Sequence, residues 1–505
     1  MIGTLAMGEI DQLWSAQAKA FISAQHSSVI DGRAVTDVGT AIPVHDPATG
    51  KVITELSEAS AAHVDQAVRS ARTALESPSW ARMAPAERQR LIWQLSVLIE
   101  RDAALLAEIE SIDNGKTRFM ASVADIPMAR DYLRYMAGWA TKVMGQTFDV
   151  SIDAIPGARY HAYTRREPVG VVAQIIPWNF PLLMAIWKLA PALAAGCTCV
   201  LKPAEQTSLT ALYLSKLIEE AGFPDGVVNI LIGRGSTTGN ALVRSPGVDK
   251  IAFTGSTAIG KAINVAATED LKRVTLELGG KSPMIVLADC DPDIAAMGSA
   301  QACFFNHGQV CTAGSRLFVH SAIYDAVLER VAAGAGAVKL GPGLDARTEM
   351  GPLVSAQQRD RVMAFIEGSV QEGGSIAAGG ETAFDQGYFV KPTVIANVSP
   401  DMRVVREEVF GPVLTVQRFD EIDAVIAAAN DSKYGLAASV WSNDLAAVHE
   451  IVPQLKAGTV WVNAHNLVDP AMPFGGYKQS GVGREHGQAA IEAHTELKSV
   501  CMHIG

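Results

Sequence analysis

Residues 169–201, VGVVAQIIPWNFPLLMAIWKLAPALAAGCTCVL, decide the fold class of this chain. The segment contains a continuous apolar strand pattern at 169–176, an apolar helix pattern at 182–194 and a second apolar strand pattern at 197–201. Continuous apolar strands that alternate with helices are typical of a parallel sheet with helices on both faces. The sequence therefore predicts an α/β fold built on a doubly wound parallel sheet.

The same alternation extends over most of the chain. After residue 201 the pattern predicts helices at 207–221, 236–244 and 257–268 and strands at 227–232, 251–253 and 273–278. Helical periodicity also appears upstream, at 61–75, 86–112 and 121–140. Beyond residue 278 a second α/β domain is expected, with strands near 284–288, 316–320, 388–395, 413–419, 436–441 and 459–462.

Residues 145–166 depart from this alternation. Two segments, 147–152 and 159–164, alternate polar with apolar residues on either side of Pro156-Gly157, which is the pattern of a β-hairpin. The C-terminal segment 496–504 is a second strand-like tail and the expected counterpart of the hairpin. Hairpin and tail together suggest that subunits pair by strand addition, and a plain surface hairpin is the alternative.

Composition excludes several classes of function. The 505 residues carry a formal net charge of −11 and no basic run, which excludes an electrostatic footprint for nucleic acid or anionic lipid. Six cysteines are too few for a disulfide framework, no His/Cys group has zinc spacing, and no apolar stretch is long enough for a membrane span. The N-terminus soon meets acidic residues and lacks the pattern of a signal peptide. A cytoplasmic protein without metal, membrane or nucleic-acid partners is expected.

Polar motifs follow the predicted strands at their carboxyl ends, where a doubly wound sheet binds its ligand. These motifs are PWNFP at 177–181, KPAE at 202–205, GRG at 233–235, TGS at 254–256 and ELGGK at 277–281. Ser256 opens a predicted helix, whose free amides suit a phosphate. Lys202 and Glu205 could grip ribose hydroxyls, and a carboxylate there favours NAD over NADP. A solvated Lys–Glu contact is the alternative, and the glycines at 233, 235 and 239 miss the dinucleotide spacing by one residue.

Two further residues have the surroundings of reactive groups. Glu277 stands between two leucines, and burial of such an acid raises its pKa and fits it for general base catalysis, with a structural cap as the alternative. Cys311 lies in FFNHGQVCTAGSR at 304–316, at a bend between a predicted helix at 291–305 and a predicted strand at 315–320. Neighbouring amides would lower its pKa and favour the nucleophilic thiolate, whereas a buried inert cysteine is the alternative.

Seven ordered motifs resemble those of the aldehyde dehydrogenase superfamily. They are PWNFP at 177–181, KPAE at 202–205, FTGS at 253–256, LELGGK at 276–281, FxxxGQxC at 304–311, EEVFGP at 407–412 and PFGGYKxSG at 473–481. The resemblance runs from about residue 20 to the C-terminus and implies a Rossmann-like cofactor domain at 1–145 and 166–278 and a catalytic domain at 279–488. It also implies a small β oligomerisation element at 146–165 and 489–505 and a homodimer or homotetramer. The family binds NAD without the usual glycine fingerprint, which accounts for the glycine spacing.

The resemblance also implies the roles of individual residues. The Cys311 thiolate would attack an aldehyde, the Asn179 amide and the Cys311 backbone N–H would hold the oxyanion, and Glu277 would activate water for hydrolysis of the thioester. Residues matching the NAD contacts of the family are Ile176, Pro177, Trp178, Lys202, Glu205, Gly235, Gly255, Ser256, Gln358, Glu408 and Phe410.

The positions that match the substrate tunnel of the family are mostly apolar and carry no charge. They are Met128, Phe180, Leu183, Met184, Trp187, Phe305, Val310, Thr312, Leu467, Val468 and Phe474. A charged aldehyde would need a counter-charge there, so a neutral hydrophobic aldehyde is expected. Residues 463–474 look like those of phenylacetaldehyde dehydrogenases. Aliphatic or betaine-type oxidation and a catalytically silent relative are the alternatives. A CoA-acylating enzyme is disfavoured because Glu277 is present.

Overall fold

A computed structural model of the chain describes residues 10–36, 39–152 and 155–505. Residues 1–9 lie outside the described ranges. They belong to the N-terminal segment that the sequence predicts not to be a signal peptide. Within these ranges, no helix combines the length and the apolar character that crossing a bilayer requires.

The strands are numbered here in chain order. They are β1 (Val29–Ile30), β2 (Arg33–Ala34), β3 (Ala41–His45), β4 (Val52–Ser57), β5 (Thr147–Phe148), β6 (Tyr160–Pro168), β7 (Val171–Ile175), β8 (Thr198–Lys202), β9 (Val228–Ile230), β10 (Lys250–Thr254), β11 (Arg273–Glu277), β12 (Pro283–Val286), β13 (Arg316–His320), β14 (Ser375–Ala378), β15 (Thr393–Ala396), β16 (Val413–Phe419), β17 (Ala437–Trp441), β18 (Thr459–Val462), β19 (Gly481–Val482) and β20 (Thr495–His503).

The α-helices are numbered in the same way. They are α1 (Ala16–Ile22), α2 (Ala61–Glu76), α3 (Pro78–Ala81), α4 (Pro85–Arg101), α5 (Ala103–Asn114), α6 (Arg118–Met120), α7 (Ile126–Ala137), α8 (Pro181–Ala195), α9 (Leu209–Ala221), α10 (Asn240–Arg244), α11 (Thr257–Ala267), α12 (Pro292–Phe304), α13 (Tyr324–Ala337), α14 (Ala356–Gln371), α15 (Arg403–Arg406), α16 (Ile422–Asn430), α17 (Leu445–Ile451) and α18 (Gly487–Glu492).

Eight strands form the first large sheet, in the order β19-β11-β10-β7-β8-β9-β1-β2. The five central strands, β11, β10, β7, β8 and β9, are parallel, and antiparallel strands lie at both edges. Every residue of β7, β8 and β10 is buried, because helices cover both faces of the sheet. The predicted α/β class is therefore confirmed.

The helix α8 shows how the local sequence sets the element. It begins with Pro181 at its first position, where the missing N–H costs nothing, and ends at Gly196, whose φ of 93° suits a residue without a side chain. All its residues are buried, since it packs between the sheet and helices α4 and α7. A helix that is apolar on all sides is expected in such a central layer.

Seven strands form the second large sheet, in the order β14-β15-β16-β13-β12-β17-β18. All its pairings are parallel except that of β14 with β15. The short edge strand β19 comes from the C-terminal part of the chain yet pairs with β11 of the first sheet. Glu277 lies in this pairing, opposite Gly481, so the two halves of the chain meet beside it.

The hairpin and the C-terminal tail form a separate three-stranded sheet, β20-β6-β5. Strands β20 and β6 pair antiparallel along nine residues, from Thr495 opposite Pro168 to His503 opposite Tyr160. The prediction that the tail is the counterpart of the hairpin is confirmed. The first hairpin strand is shorter than predicted, because only Thr147–Phe148 pair with β6.

Several predicted boundaries are wrong. The predicted helix at 86–112 is two helices, α4 and α5, because Asp102 leaves the helical conformation between them. The predicted helices at 121–140 and 236–244 each begin with a π-helical turn, at 121–125 and 235–239. The predicted strand at 388–395 starts only at Thr393, after Pro392, which lacks the N–H that a sheet ladder needs.

Candidate active site

A cavity of about 280 Å³ lies at the carboxyl ends of the central strands and brings most of the predicted site residues together. Its wall contains Asn179, Glu277 and Cys311. Of the predicted cofactor residues it contains Pro177, Trp178, Gly255, Ser256, Gln358, Glu408 and Phe410. Of the predicted substrate residues it contains Met128, Phe180, Leu183, Met184, Trp187, Phe305, Val310, Thr312, Val468 and Phe474.

Five predicted residues do not line this cavity. Ile176, Lys202 and Glu205 lie near the end of β8, where the Ile176 N–H donates to the Lys202 carbonyl and the Lys202 ammonium is 3.8 Å from the Glu205 carboxylate. Gly235 begins the π-helical turn 235–239. Leu467 is 63% exposed, and its role in the tunnel stays a prediction.

Six wall residues were not predicted from the sequence. They are Thr254, Leu278, Gly279, Arg361, Asn466 and Glu485. Thr254, Leu278 and Gly279 stand inside recognised motifs and could have been included on that ground. Arg361 and Glu485 stand in segments that carry no local signal of chemistry.

The turn before Cys311 has an unusual backbone. Asn306, His307 and Gly308 have φ values of 45°, 60° and 67°, so three consecutive residues are left-handed. A β-carbon at Gly308 would lie 2.1 Å from the Gly411 carbonyl oxygen, which leaves room only for glycine. The turn is anchored by the Gly351 N–H, which donates to His307 Nε2 at 3.1 Å. The nucleophile candidate is thus held by a rigid bend that other loops support.

Cys311 itself is half-buried at the cavity wall. Burial raises the pKa of its thiol to about 12, and the Glu408 and Glu277 carboxyls raise it as well. The backbone N–H groups of Thr312 and Cys311 lower the pKa, but by less. The neighbouring amides thus lower the pKa as predicted, but burial and the two acids outweigh them, so the pKa of the thiol is raised overall.

Glu277 ends β11 with its carboxyl group buried in the cavity wall. Neither of its carboxyl oxygens has a hydrogen-bond partner among the described residues. Burial raises its pKa well above the usual range, and the neighbouring Glu485 raises it further. This direction agrees with the prediction. Gly475 makes room for the carboxyl group, since a β-carbon there would lie 2.7 Å from Glu277 Oε1.

A buried ion pair lies behind Glu277. The Lys188 ammonium contacts the Glu485 carboxylate, and both groups act on the pKa of Glu277, which Lys188 lowers and Glu485 raises. Glu485 is fixed by two backbone hydrogen bonds with Phe474, each 2.7 Å long. The lysine in the otherwise apolar helix α8 was the sequence signal for this pair, although its partner stands 297 residues away.

Asn179 follows β7 and lies between several hydrogen-bonding groups. Its Nδ2 donates to the Gln309 carbonyl at 2.9 Å, while its Oδ1 is buried without a partner in the described part of the chain. Its backbone carbonyl accepts from Asn306 Nδ2 and Lys116 Nζ, each at 3.0 Å. The second N–H of the side-chain amide is not used by these contacts, so it can donate to an anion in the cavity.

The aromatic part of the wall surrounds the remaining space. The Phe180 and Phe305 rings stack with centroids 6.2 Å apart, and Trp187 contacts Phe474 edge-on at 5.6 Å. Two polar residues of this wall, Thr312 and Asn466, are joined by a hydrogen bond from the Thr312 hydroxyl to Asn466 Oδ1 at 2.7 Å. These side chains suit a neutral apolar ligand that ends next to the thiol.

The other part of the cavity has the groups that a dinucleotide needs. Ser256 caps helix α11, and the Thr254 hydroxyl is buried without a partner among the described residues. Glu408 accepts from the Gly280 N–H at 3.0 Å, and burial raises its pKa to about 7. A helix N-terminus suits phosphate, and a carboxylate suits ribose hydroxyls, so these residues fit such a cofactor. No group of three His, Cys, Asp or Glu side chains placed to hold a metal occurs in the described ranges.

Comparison with known proteins agrees with this geometry. Residues 34–500 match the model of the aldehyde dehydrogenase family. The chain belongs to this family. This aldehyde dehydrogenase family member is 51% identical to the phenylacetaldehyde dehydrogenase of Pseudomonas fluorescens over 478 residues, which are 94% of this chain and 95% of that protein. It is 49% identical to the putative aldehyde dehydrogenase DhaS of Bacillus subtilis, over 99% of this chain and 100% of that protein.

A solved structure is similar to the whole described fold. The NAD⁺ complex of an aldehyde dehydrogenase from Bacillus cereus superposes with a TM-score of 0.94 at 49% identity, covering 97% of this chain and 99% of that chain. As a member of the aldehyde dehydrogenase family, the protein is an oxidoreductase that acts on aldehydes.

Proposed function

We propose that the protein oxidises a neutral hydrophobic aldehyde of the phenylacetaldehyde type to its carboxylic acid, through covalent intermediates on Cys311. NAD is the hydride acceptor, and water supplies the second oxygen of the acid. The observation that carries the proposal is that Cys311, Glu277 and Asn179 face one cavity, and that the part of its wall formed by the predicted substrate residues is mostly aromatic and aliphatic. The cofactor assignment is supported by the fit of the wall to a dinucleotide and by the NAD⁺ complex of the Bacillus cereus relative.

In the first step the Cys311 thiol loses its proton to solvent, and the resulting thiolate attacks the carbonyl carbon. The new C–S bond moves an electron pair onto the carbonyl oxygen. Asn179 Nδ2 and the Cys311 backbone N–H are the donors proposed for that oxyanion, and loss of one such donor typically costs roughly 10²–10³ in rate. NAD bound by the residues named below would supply the acceptor for the hydride that leaves the tetrahedral carbon, and a thioester on Cys311 would remain.

Hydrolysis of the thioester requires a base that takes a proton from water and a second group that accepts the proton from this base. Glu277 in its ionised form takes a proton from water, which attacks the thioester and releases the acid and the Cys311 thiolate. Lys188 favours the carboxylate form of Glu277, and the adjacent Glu485 carboxylate is the group proposed to receive the proton next. A CoA-acylating enzyme would need no such base.

NAD contacts are proposed for two groups of residues. Trp178, Gln358, Glu408 and Phe410 lie near one another, with the Trp178 and Phe410 rings edge-on at 5.1 Å and Gln358 Nε2 donating to the Phe410 carbonyl at 2.7 Å. They are proposed to hold the nicotinamide ribose and ring. Lys202, Glu205 and Ser256 are proposed for the adenosine and pyrophosphate, at the end of β8 and the start of α11.

The aromatic substrate class is supported by the stacked phenylalanines and by the absence of any charged side chain among the predicted tunnel residues. A quaternary ammonium aldehyde would need an aromatic cage, and the loop containing His465, Asn466 and Val468 provides none. The similarity to a phenylacetaldehyde dehydrogenase supports the same class.

A substrate panel tests this function. Phenylacetaldehyde, hexanal and betaine aldehyde are each added with NAD, and NADH absorbance is followed. We expect the highest kcat/KM with phenylacetaldehyde and no NADH from the Cys311→Ala variant, which should still bind NAD. Preference for betaine aldehyde would overturn the substrate class. Turnover by Cys311→Ala would overturn the nucleophile, and silence with every aldehyde would favour a catalytically inactive relative.

The domain limits remain a proposal. A cofactor domain at 1–145 and 166–278 would contain most of the first sheet, a catalytic domain at 279–488 the second, and the element 146–165 with 489–505 the three-stranded sheet. We also propose a homotetramer or homodimer in a reducing, cytoplasmic setting. The setting is supported by the six cysteines, all in described segments and all free thiols.

A further inference from the structure

The end of helix α5 holds the loop that carries Asn179. Residues 110–116 and 178–182 are joined by hydrogen bonds from Asn114 Nδ2 to the Trp178 carbonyl at 2.7 Å, from Lys116 Nζ to the Asn179 carbonyl at 3.0 Å, and from the Leu182 N–H to Glu110 Oε2 at 3.2 Å. Successive residues of the loop are thus fixed by side chains from one neighbouring segment. None of these three side chains lines the cavity itself.

Lys116 is the charged member of this contact and is 1% exposed. Its ammonium contacts the Asp125 carboxylate and lies 3.3 Å from Glu110 Oε1. Asp125 faces inward at the end of the π-helical turn 121–125. The extra residue in this turn changes the direction in which the following side chains point. A buried ammonium is tolerated only when it is paired and hydrogen-bonded. Lys116 therefore has one position, fixed by its acceptors.

The same ammonium contacts two consecutive residues that line the cavity. It donates to the Asn179 backbone and lies 4.4 Å from the centroid of the Phe180 ring in the tunnel wall. The Asn179 carbonyl also accepts from Asn306, which belongs to the left-handed turn before Cys311. Lys116 and the nucleophile turn thus hold the same peptide group from two directions.

We propose that Lys116 is a positioning residue of the oxidation: by holding the Asn179 backbone it sets the distance between the side-chain amide and the carbonyl oxygen on Cys311. The inference rests on the proposed role of Asn179 as an oxyanion donor. Loss of the ammonium should allow the 178–182 loop to shift, and a shift of an ångström in such a donor can reduce the rate by about 10²-fold.

The test compares Lys116→Met with Lys272→Met. Lys272 is also buried, and its Nζ donates to the Val243 and Ser245 carbonyls, away from the cavity. We expect Lys116→Met to slow the pre-steady-state burst of NADH by about 10–100-fold at saturating aldehyde, with NAD affinity unchanged. Lys272→Met should keep the burst rate within twofold. A normal burst in folded Lys116→Met, or an equal loss in Lys272→Met, would overturn the proposal.

A double-mutant cycle separates this role from general damage. In an Asn179→Ala background, Lys116→Met should slow the burst by less than twofold, because the donor that Lys116 positions is already gone. If the rate losses of the two single variants multiply fully in the double variant, Lys116 acts by another route. If Asn179→Ala alone leaves the burst unchanged, the oxyanion role of Asn179 is wrong, and this inference is overturned with it.

Lys116→Arg provides a variant that keeps the charge opposite Asp125. It is expected to fold even if Lys116→Met does not, and to lose burst rate, because the planar guanidinium cannot place the same donor on the Asn179 carbonyl. A wild-type burst in Lys116→Arg, in a chain where Lys116→Met fails to fold, would assign Lys116 to stability alone.

Discussion

At the scale of single residues, the buried carboxyl group of Glu277, the proposed general base, would set the conditions for hydrolysis in the proposed mechanism. Its pKa lies well above the usual range because of burial and the adjacent Glu485. The general base must be ionised, so its active form grows as the pH rises through this raised pKa and is lost as the pH falls. Formation of the thioester does not need this carboxylate.

The pH dependence of two rates follows from this difference. The steady-state rate should rise with pH, and this rise should occur at pH values above the usual pKa range of a carboxyl group. Glu277→Gln should remove this pH-dependent rise. Glu277→Gln should slow steady-state turnover by about 10²–10⁴-fold while leaving most of the NADH burst. Both are measured by stopped-flow and steady-state absorbance between pH 5 and 9. Equal loss of burst and turnover would refute the assignment of Glu277 to hydrolysis.

The residues predicted from the sequence alone are those that stand in a short motif, where the neighbouring residues indicate the chemistry. Cys311, Glu277 and Asn179 each stand in a short motif of glycines, prolines or small residues. Glu485, paired with Lys188 across 297 positions, has no such motif, and its importance follows only from the fold. The raised pKa of Cys311 was not predictable for the same reason, because burial by the fold raises it most and the Glu408 and Glu277 carboxyls reach it through tertiary packing.

At the scale of elements, apolar periodicity identified the strands and long helices, because burial on both faces leaves a continuous pattern. It failed where a side chain interrupts a helix. Asp102 separates α4 from α5 by leaving the helical conformation, while its carboxylate accepts hydrogen bonds from Arg101 and Tyr213. The π-helical turn at 121–125 adds one residue to a turn, which hydrophobic spacing does not reveal.

The turn before Cys311 gives a prediction about stability. Gly308→Ala should lower the free energy of unfolding by several kcal/mol, since φ is 67° and the new β-carbon would meet the Gly411 carbonyl oxygen at 2.1 Å. Gly334→Ala is the matched control, because Gly334 lies inside α13 and a β-carbon there meets no atom within 4 Å. It should stabilise by up to about 1 kcal/mol. Thermal unfolding measures both, and equal melting temperatures would contradict the expectation.

At the scale of the whole molecule, the three-stranded sheet β20-β6-β5 leaves apolar side chains exposed. Phe148 is 44% exposed and Leu497 is 56% exposed, and the pairing register places both on one face of the sheet. Scattered apolar residues on a surface are ordinary, but two on one face of a small sheet suggest that another molecule covers it. A second copy of this chain is the occupant proposed above.

Mass measurement in solution checks this proposal. Light scattering after size exclusion should give a dimer or tetramer, and Leu497→Glu should lower the mass of the assembly because it places a charge in the covered face. Leu445→Glu is the control, since Leu445 is also exposed, at 70%, at the start of α17 but far along the chain from this sheet. A monomeric wild-type protein would overturn the proposal, as would an unchanged mass for Leu497→Glu.

The pairing of β19 with β11 restricts how this molecule can move. Leu276 and Glu277 are joined to Val482 and Gly481, and the Leu278 N–H donates to the Ser480 carbonyl at 2.9 Å. Backbone hydrogen bonds therefore connect the two large sheets beside the proposed base. The sheets cannot separate as rigid bodies unless these hydrogen bonds break. Substrate and product would then enter and leave through local movements of side chains and loops at the rim of the cavity. Turnover would depend on how often these local movements open the cavity.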